Sequence, residues 1–151
     1  MDRGSIRWWL VVVVVPVLVV VGVFLPLVVF WARYPDPLAV HWGLSGPPNG
    51  EMPLLVYTAL LAVGMILSWG ALIAGARTTM PSAPLTAVTY LIMGLLAAVN
   101  APIVMANLDA ASWTAADERS VPFFVIVLVV AAVSGSVGWF VAGGSGGVPA
   151  D

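Results

Sequence analysis

The sequence predicts an all-α integral membrane protein: four transmembrane helices and one structured extracytoplasmic loop. Three observations predict it. Of 151 residues 62% are apolar and only 8% are charged, whereas a soluble domain is roughly a quarter charged. A chain so poor in charge cannot cover a globular surface facing water, so most of it must face lipid. Next, four runs reach the roughly 20 mostly apolar residues that span a bilayer, and none holds Asp, Glu, Lys, Arg or His. Last, one stretch differs from all the rest: RYPDPLAVHWGLSGPPNGE, residues 33–51.

The first helix is expected at about 8–32. Arg3 and Arg7 before an apolar run resemble a signal peptide, but a signal's apolar region is roughly 7–15 residues and this run is longer. Its valines would favour a strand in water. In hydrocarbon every backbone group must pair within the segment, so helix wins. Pro16 and Pro26 each remove a backbone donor and should bend it. The loop at 33–52 follows, then helices at about 53–76, 85–106 and 121–142. Together they make one membrane domain, 1–142. Within the third helix Pro102 frees the Ala98 carbonyl, and Asn100 reads as structural glue between helices. Gly143 to Gly147 open a flexible tail, 143–151.

Helices two to four carry small residues four apart: Gly64 with Ser68, Gly70 with Ala74, Gly94 with Ala98, Ala131 with Gly135, and Ser134 with Gly138. Such spacing lets backbones approach. These three are expected to form the tighter core, with the bulky first helix nearer lipid. Between the last two helices, Thr114 with Asp117 can cap a short interfacial helix. That connector and the 33–52 loop are expected to form one lid.

Orientation rests on arginine, because the chain has no lysine. With both termini cytoplasmic, Arg3, Arg7 and Arg77 lie inside, while Arg33 and Arg119 lie outside with Asp36, Glu51, Asp109, Asp117 and Glu118. The pair before the first helix dominates. Trp8, Trp9, Trp31, Tyr34, Trp113 and Trp139 sit near segment ends, as in an aromatic belt. Trp42 lies in the loop itself.

Several chemistries drop out. Proton relays and ion paths use ionisable groups inside the membrane, and the four runs have none. With no cysteine and one histidine, a four-ligand structural zinc site is impossible. Asp36, His41 and Glu51 follow no helical or hairpin spacing, so no metal is predicted. There is no nucleophile elbow, no glycine-rich phosphate loop and no basic patch for nucleic acid. No catalytic residue and no cofactor is predicted.

The loop remains. Tyr34 and Asp36 each precede a proline and are biased to extended backbone. Pro47-Pro48-Asn49-Gly50 is a turn signature. Proline lowers the entropy lost on folding or binding, and a plain tether would not need this stiffness. On a structural reading, Asp36 accepts amides of its own turn, His41 bonds a carbonyl or Asp36, and Trp42 anchors in the headgroups. On a functional reading, the loop presents a recognition surface.

The run Pro35-Asp36-x-Leu38-x-Val40-His41-Trp42, followed by Gly46 and Asn49, resembles the P-D-x-I-P-x-H-W/F-x-x-x-G-x-x-D/N signature of a bacterial membrane domain of unknown function. That domain forms the N-terminal part of SdpI-type immunity proteins, which protect producing cells from a secreted toxic peptide. As in that family, the motif directly follows the first helix. The resemblance covers roughly residues 10 to 65. It departs at Ala39, where proline is usual, at Gly43, where Asn or Asp is usual, and at Asn49 in place of an acid. The better-known members also have more helices. The resemblance implies a non-enzymatic cell-membrane protein that binds a secreted peptide or another membrane protein through Pro35, Asp36, His41, Trp42, Gly46 and Asn49. The alternatives are a small transporter or channel subunit and, more remotely, a membrane hydrolase.

Overall fold

The computed structural model describes residues 3–43, 46–76, 81–117 and 122–143. Arg77, Glu118 and Arg119 of the charge count, and the tail from Gly144 on, lie outside them. Three stretches are long and apolar enough to cross a membrane, Ile6–Val29, Leu54–Gly75 and Ala83–Asn107, and a shorter apolar stretch lies at Ile126–Val141.

The first helix starts at Arg3, earlier than the expected Trp8, and runs as Arg3–Trp9, a π-helical turn Leu10–Val14, and Val15–Val29. Pro16 explains the π turn. Proline has no N–H for the carbonyl of Val12. The Val15 N–H reaches back five residues to the Leu10 carbonyl, which leaves the Val11 carbonyl without its donor too. Other helices supply both. Trp69 Nε1 donates to the Val12 carbonyl at 2.8 Å and the Tyr90 hydroxyl donates to the Val11 carbonyl at 2.9 Å. At the same end Trp8 Nε1 donates to the Ala76 carbonyl at 3.1 Å, and Arg7 Nε donates to the Val141 carbonyl at 2.8 Å.

The second helix is Leu54–Gly75, the third Ala83–Asn107 and the fourth Pro122–Val141. The third is the hub: it packs along the fourth and also touches the first, the second and the loop. Glycines allow that approach. A Cβ on Gly138 would sit 2.7 Å from the Thr86 carbonyl oxygen, one on Gly135 3.1 Å from Leu91 Cβ, and one on Gly64 3.0 Å from Leu96 Cδ1. Gly94 faces Ser134. Gly70 meets nothing within 4 Å, so its pairing with Ala74 makes no helix contact.

The expected grouping of helices two to four, with the first toward lipid, needs correction. Val23 and Leu27 of the first helix share the main buried cluster with Leu61, Met65 and Met93. Bulk did not send the first helix outward, because its large side chains fill the space the small-residue helices leave. Asn100 joins three helices, accepting from the Tyr57 hydroxyl at 2.9 Å and donating to the Val23 carbonyl at 3.3 Å.

The prediction of an all-α protein also needs correction. The loop contains an antiparallel hairpin of β1, Leu38–Trp42, and β2, Pro48–Met52. Leu38 pairs with Met52, Ala39 with Glu51, His41 with Gly50 and Trp42 with Pro48. Val40 and Asn49 have no opposite residue, so the register slips twice. Bulges of this kind break the two-residue period, which hid the hairpin in the spacing. A 3₁₀ turn, Trp113–Ala115, lies against both strands, so the two connectors form one lid as expected. Of the short helix expected with Thr114 and Asp117, the described residues hold only this 3₁₀ turn, in which the Thr114 hydroxyl pairs with that of Ser112 at 2.9 Å; its continuation lies outside the described residues.

Candidate functional site

The lid is fixed to the bundle at three places. The first is Asn107, in the last turn of the third helix and fully buried. Its Oδ1 accepts from the Ala39 N–H at 2.8 Å, and its Nδ2 donates to the Ala39 carbonyl at 2.8 Å and to the Ile103 carbonyl at 2.8 Å. One side-chain amide thus does what a neighbouring strand would do, closing the outer edge of β1.

Asp36 is the second. Its Oδ1 accepts from the Leu54 N–H at 2.9 Å. The first N–H groups of a helix have no intrahelical partner, and a carboxylate there also meets the positive end of the helix dipole. Asp36 therefore caps the second helix from 18 residues away; it does not fold back on its own turn. The Asp36–Pro37 peptide bond is cis. Pro35, half-buried, precedes it.

Arg33 and Asp109 are the third. Arg33 Nε donates to Asp109 Oδ1 at 2.8 Å, a second guanidinium nitrogen reaches Oδ2 at 2.5 Å, and the Asp109 N–H donates to the Arg33 carbonyl at 3.0 Å. This hydrogen bond holds the Asp109 carboxyl below its ordinary range and raises Arg33 further. Asp109 has φ 62°, a region Asp and Asn tolerate better than most residues. Burial raises the neighbouring Tyr34 phenol.

These ties present the motif residues. His41 is exposed, and its Nδ1 meets Asn49 Oδ1 at 2.5 Å. Gly50 opposite must stay small: a Cβ there would lie 2.9 Å from His41 Cβ. Gly46 has φ 143°, open to glycine without strain. Trp42 is half-buried, and its Nε1 is buried with no hydrogen-bond partner among the described residues. So His41, Trp42 and Asn49 share the outer part of the hairpin, while Asp36 is engaged separately at its base. Among the described residues no three His, Asp or Glu side chains converge as a metal site would require.

Sequence reasoning missed Asn107. A signal was present: Asn100 and Asn107 lie seven residues apart, two helical turns on one face, and both are buried in an apolar helix.

Compared with known proteins, the chain matches no family model, no curated protein and no solved structure.

Two predictions follow from these ties. Replacing Asn107 with Leu strands the Ala39 N–H and carbonyl at a buried site, each costing about 1–3 kcal/mol. The variant should melt several degrees lower in detergent, and residues 38–52 should lose hydrogen-exchange protection; unchanged protection would refute the tie. The ion pair should show in pH dependence. The Asp109 pKa is depressed in the fold, so its contribution is complete above the ordinary value of about 3.9 and disappears as pH falls through the lower folded value. Asp109→Asn keeps the backbone conformation. Its melting point should lie below the parent's at pH 7, and the gap should close in acid. A gap independent of pH would exclude the ion pair as its source.

Proposed function

We propose that the protein is a non-enzymatic multi-pass protein of the cell membrane. All four helices span the bilayer, both termini are cytoplasmic, and the hairpin lid faces outward. Long apolar runs free of ionisable groups support the spans, and Arg3 and Arg7 at the start of the first helix support the orientation. The lid binds a secreted peptide or the outer part of another membrane protein, in the immunity or signalling role that the SdpI-type resemblance implies.

One observation carries the binding reading: the Trp42 indole N–H is buried without an acceptor among the described residues. A buried donor left unsatisfied costs free energy, and a folded chain rarely keeps one. Trp42 follows the exposed His41 on a hairpin tied to the bundle through Asn107. A partner carbonyl or carboxylate would satisfy the indole. Trp suits such a surface, with a large apolar face and one donor at its edge.

Two experiments test this reading. Trp42→Phe keeps the ring and removes the N–H. If the indole serves a partner, the variant should melt at or above the parent temperature, because an unsatisfied donor is gone. It should also lose protection of cells against the secreted peptide, as should His41→Gln. A fall in melting point together with the phenotype would make the indole structural instead. For orientation, the chain lacks cysteine, so Glu51→Cys supplies a single thiol on an exposed strand residue. A membrane-impermeant reagent should label it in intact cells; labelling only after lysis would reverse the topology.

A further inference from the structure

The chain has three asparagines, and the fold treats one of them differently. Asn100 and Asn107 are buried in the third helix, and each commits its amide to neighbouring elements. Asn49 is exposed on β2, has no residue opposite it on β1, and is followed by Gly50. Each end of its carboxamide has a defined neighbour. Its Oδ1 meets His41 Nδ1 at 2.5 Å. A carbonyl oxygen only accepts, so Nδ1 carries the proton of that bond. Its Nδ2 lies against Gly43, where a Cβ would sit 3.2 Å away.

That arrangement suits attack on the amide carbon. The side-chain carbonyl of an asparagine lies close in sequence to the backbone nitrogen of the next residue. Glycine, having no Cβ, leaves that nitrogen uncrowded. A donor on the carbonyl oxygen makes the carbon more electrophilic and stabilises the oxyanion that forms on attack. The bulge leaves Asn49 outside the paired register, where the ladder constrains the backbone least. A two-stranded hairpin is itself only marginally stable, so the Gly50 nitrogen can turn toward Cγ. The missing Cβ of Gly43 leaves space beside the departing amine.

We propose that Asn49 is a self-modification site, at which the hydrogen bond from His41 promotes deamidation. The Gly50 nitrogen bonds to Asn49 Cγ, and the Cγ–Nδ2 bond breaks. Nδ2 leaves as ammonia with the proton of the Gly50 N–H, and a cyclic succinimide remains. Water then opens the ring. Cleavage of the new Cγ–N bond gives aspartate; cleavage of the original peptide bond gives isoaspartate. Aspartate adds a negative charge beside His41, and isoaspartate adds a carbon to the backbone of β2. Either product alters the hairpin that carries Trp42, so the lid exists in more than one chemical form. The chemistry holds for either orientation of the chain in a bilayer and does not rest on the recognition role of the indole.

The purified chain, folded in detergent near neutral pH, tests this by mass spectrometry of the fragment that contains Asn49. Its amide should convert to the acid no more slowly than in a free synthetic peptide of residues 46–53. Asn100 and Asn107 should remain amides over the same period. His41→Phe removes the donor and should slow conversion at least about tenfold, less than the roughly hundredfold or more lost with an enclosed oxyanion donor. His41→Asn places an amide N–H where Nδ1 stood and should keep most of the rate. Faster conversion in the peptide than in the folded chain would overturn the proposal, because the hairpin would then protect the amide. Equal rates in the parent and His41→Phe would overturn the role of His41, as would equal losses in His41→Phe and His41→Asn. The peptide comparison uses the parent chain alone, so it decides even where a variant loses the hairpin.

Discussion

A single buried amide decides how the lid relates to the bundle. Two-stranded hairpins are at best marginally stable alone, and this one slips register twice within five-residue strands. Asn107 gives it a third edge. Both faces of the bargain are buried: the amide has no exposure, and Ala39 has none. Removing the amide would leave polar backbone in a site without water, which is why it holds more firmly than an exposed contact. The carboxylate of Asp36 then fixes the hairpin's base to the start of the second helix, and Arg33 with Asp109 joins the end of the first helix to the connector after the third. The buried tie and the helix cap set the geometry; the exposed ion pair adds little, since water screens it.

The opposite end of the bundle follows the same physics with different groups. Beyond Trp9 the first helix has no polar side chain, so there it offers neighbours only its backbone. Pro16 makes that backbone available by withholding a donor, and the indole of Trp69 and the phenol of Tyr90 take up the carbonyls. A proline, a tryptophan and a tyrosine from three helices thus form one joint. The bond from Asn100 to the Val23 carbonyl repeats the device nearer the lid. Within the bundle most of the described side-chain donors go to backbone carbonyls.

The helices were legible because hydrocarbon leaves an apolar run one way to satisfy its backbone, and their ends fell within a few residues of the expected ones except at Arg3. There the π turn and the reach of Arg7 to the fourth helix extend the run, and neither is visible in composition. The loop was legible as stiff and structured, from its prolines and glycines, but not as a hairpin, because Val40 and Asn49 break the alternation that would reveal strands. Of the motif residues, His41 and Asn49 meet across the hairpin, and Trp42 follows His41 on β1. Asp36 does not join them, because its partner is an amide on the next helix, a long-range contact that local turn chemistry cannot foresee. Asn107 went unread for the same reason: its meaning lies in Ala39, 68 residues away.

Ala39 connects these points to the resemblance. The signature that this loop resembles usually has proline at that position, and proline has no N–H to give Asn107 Oδ1. The departure at Ala39 and the asparagine at the end of the third helix therefore belong together: the bidentate pairing needs both. Asn49 follows a similar logic, since its carbonyl oxygen meets the Nδ1 edge of His41 without adding the negative charge that an acid would bring. The carboxylates of the loop are then Glu51 on the hairpin and Asp36 at its base. Most of the motif thus has a structural task, as helix cap, glycine turn or cross-strand bond. Among the described residues the Trp42 indole is the motif group whose one polar atom has no hydrogen-bond partner, and for that reason the proposed recognition role rests on it rather than on the more conspicuous histidine.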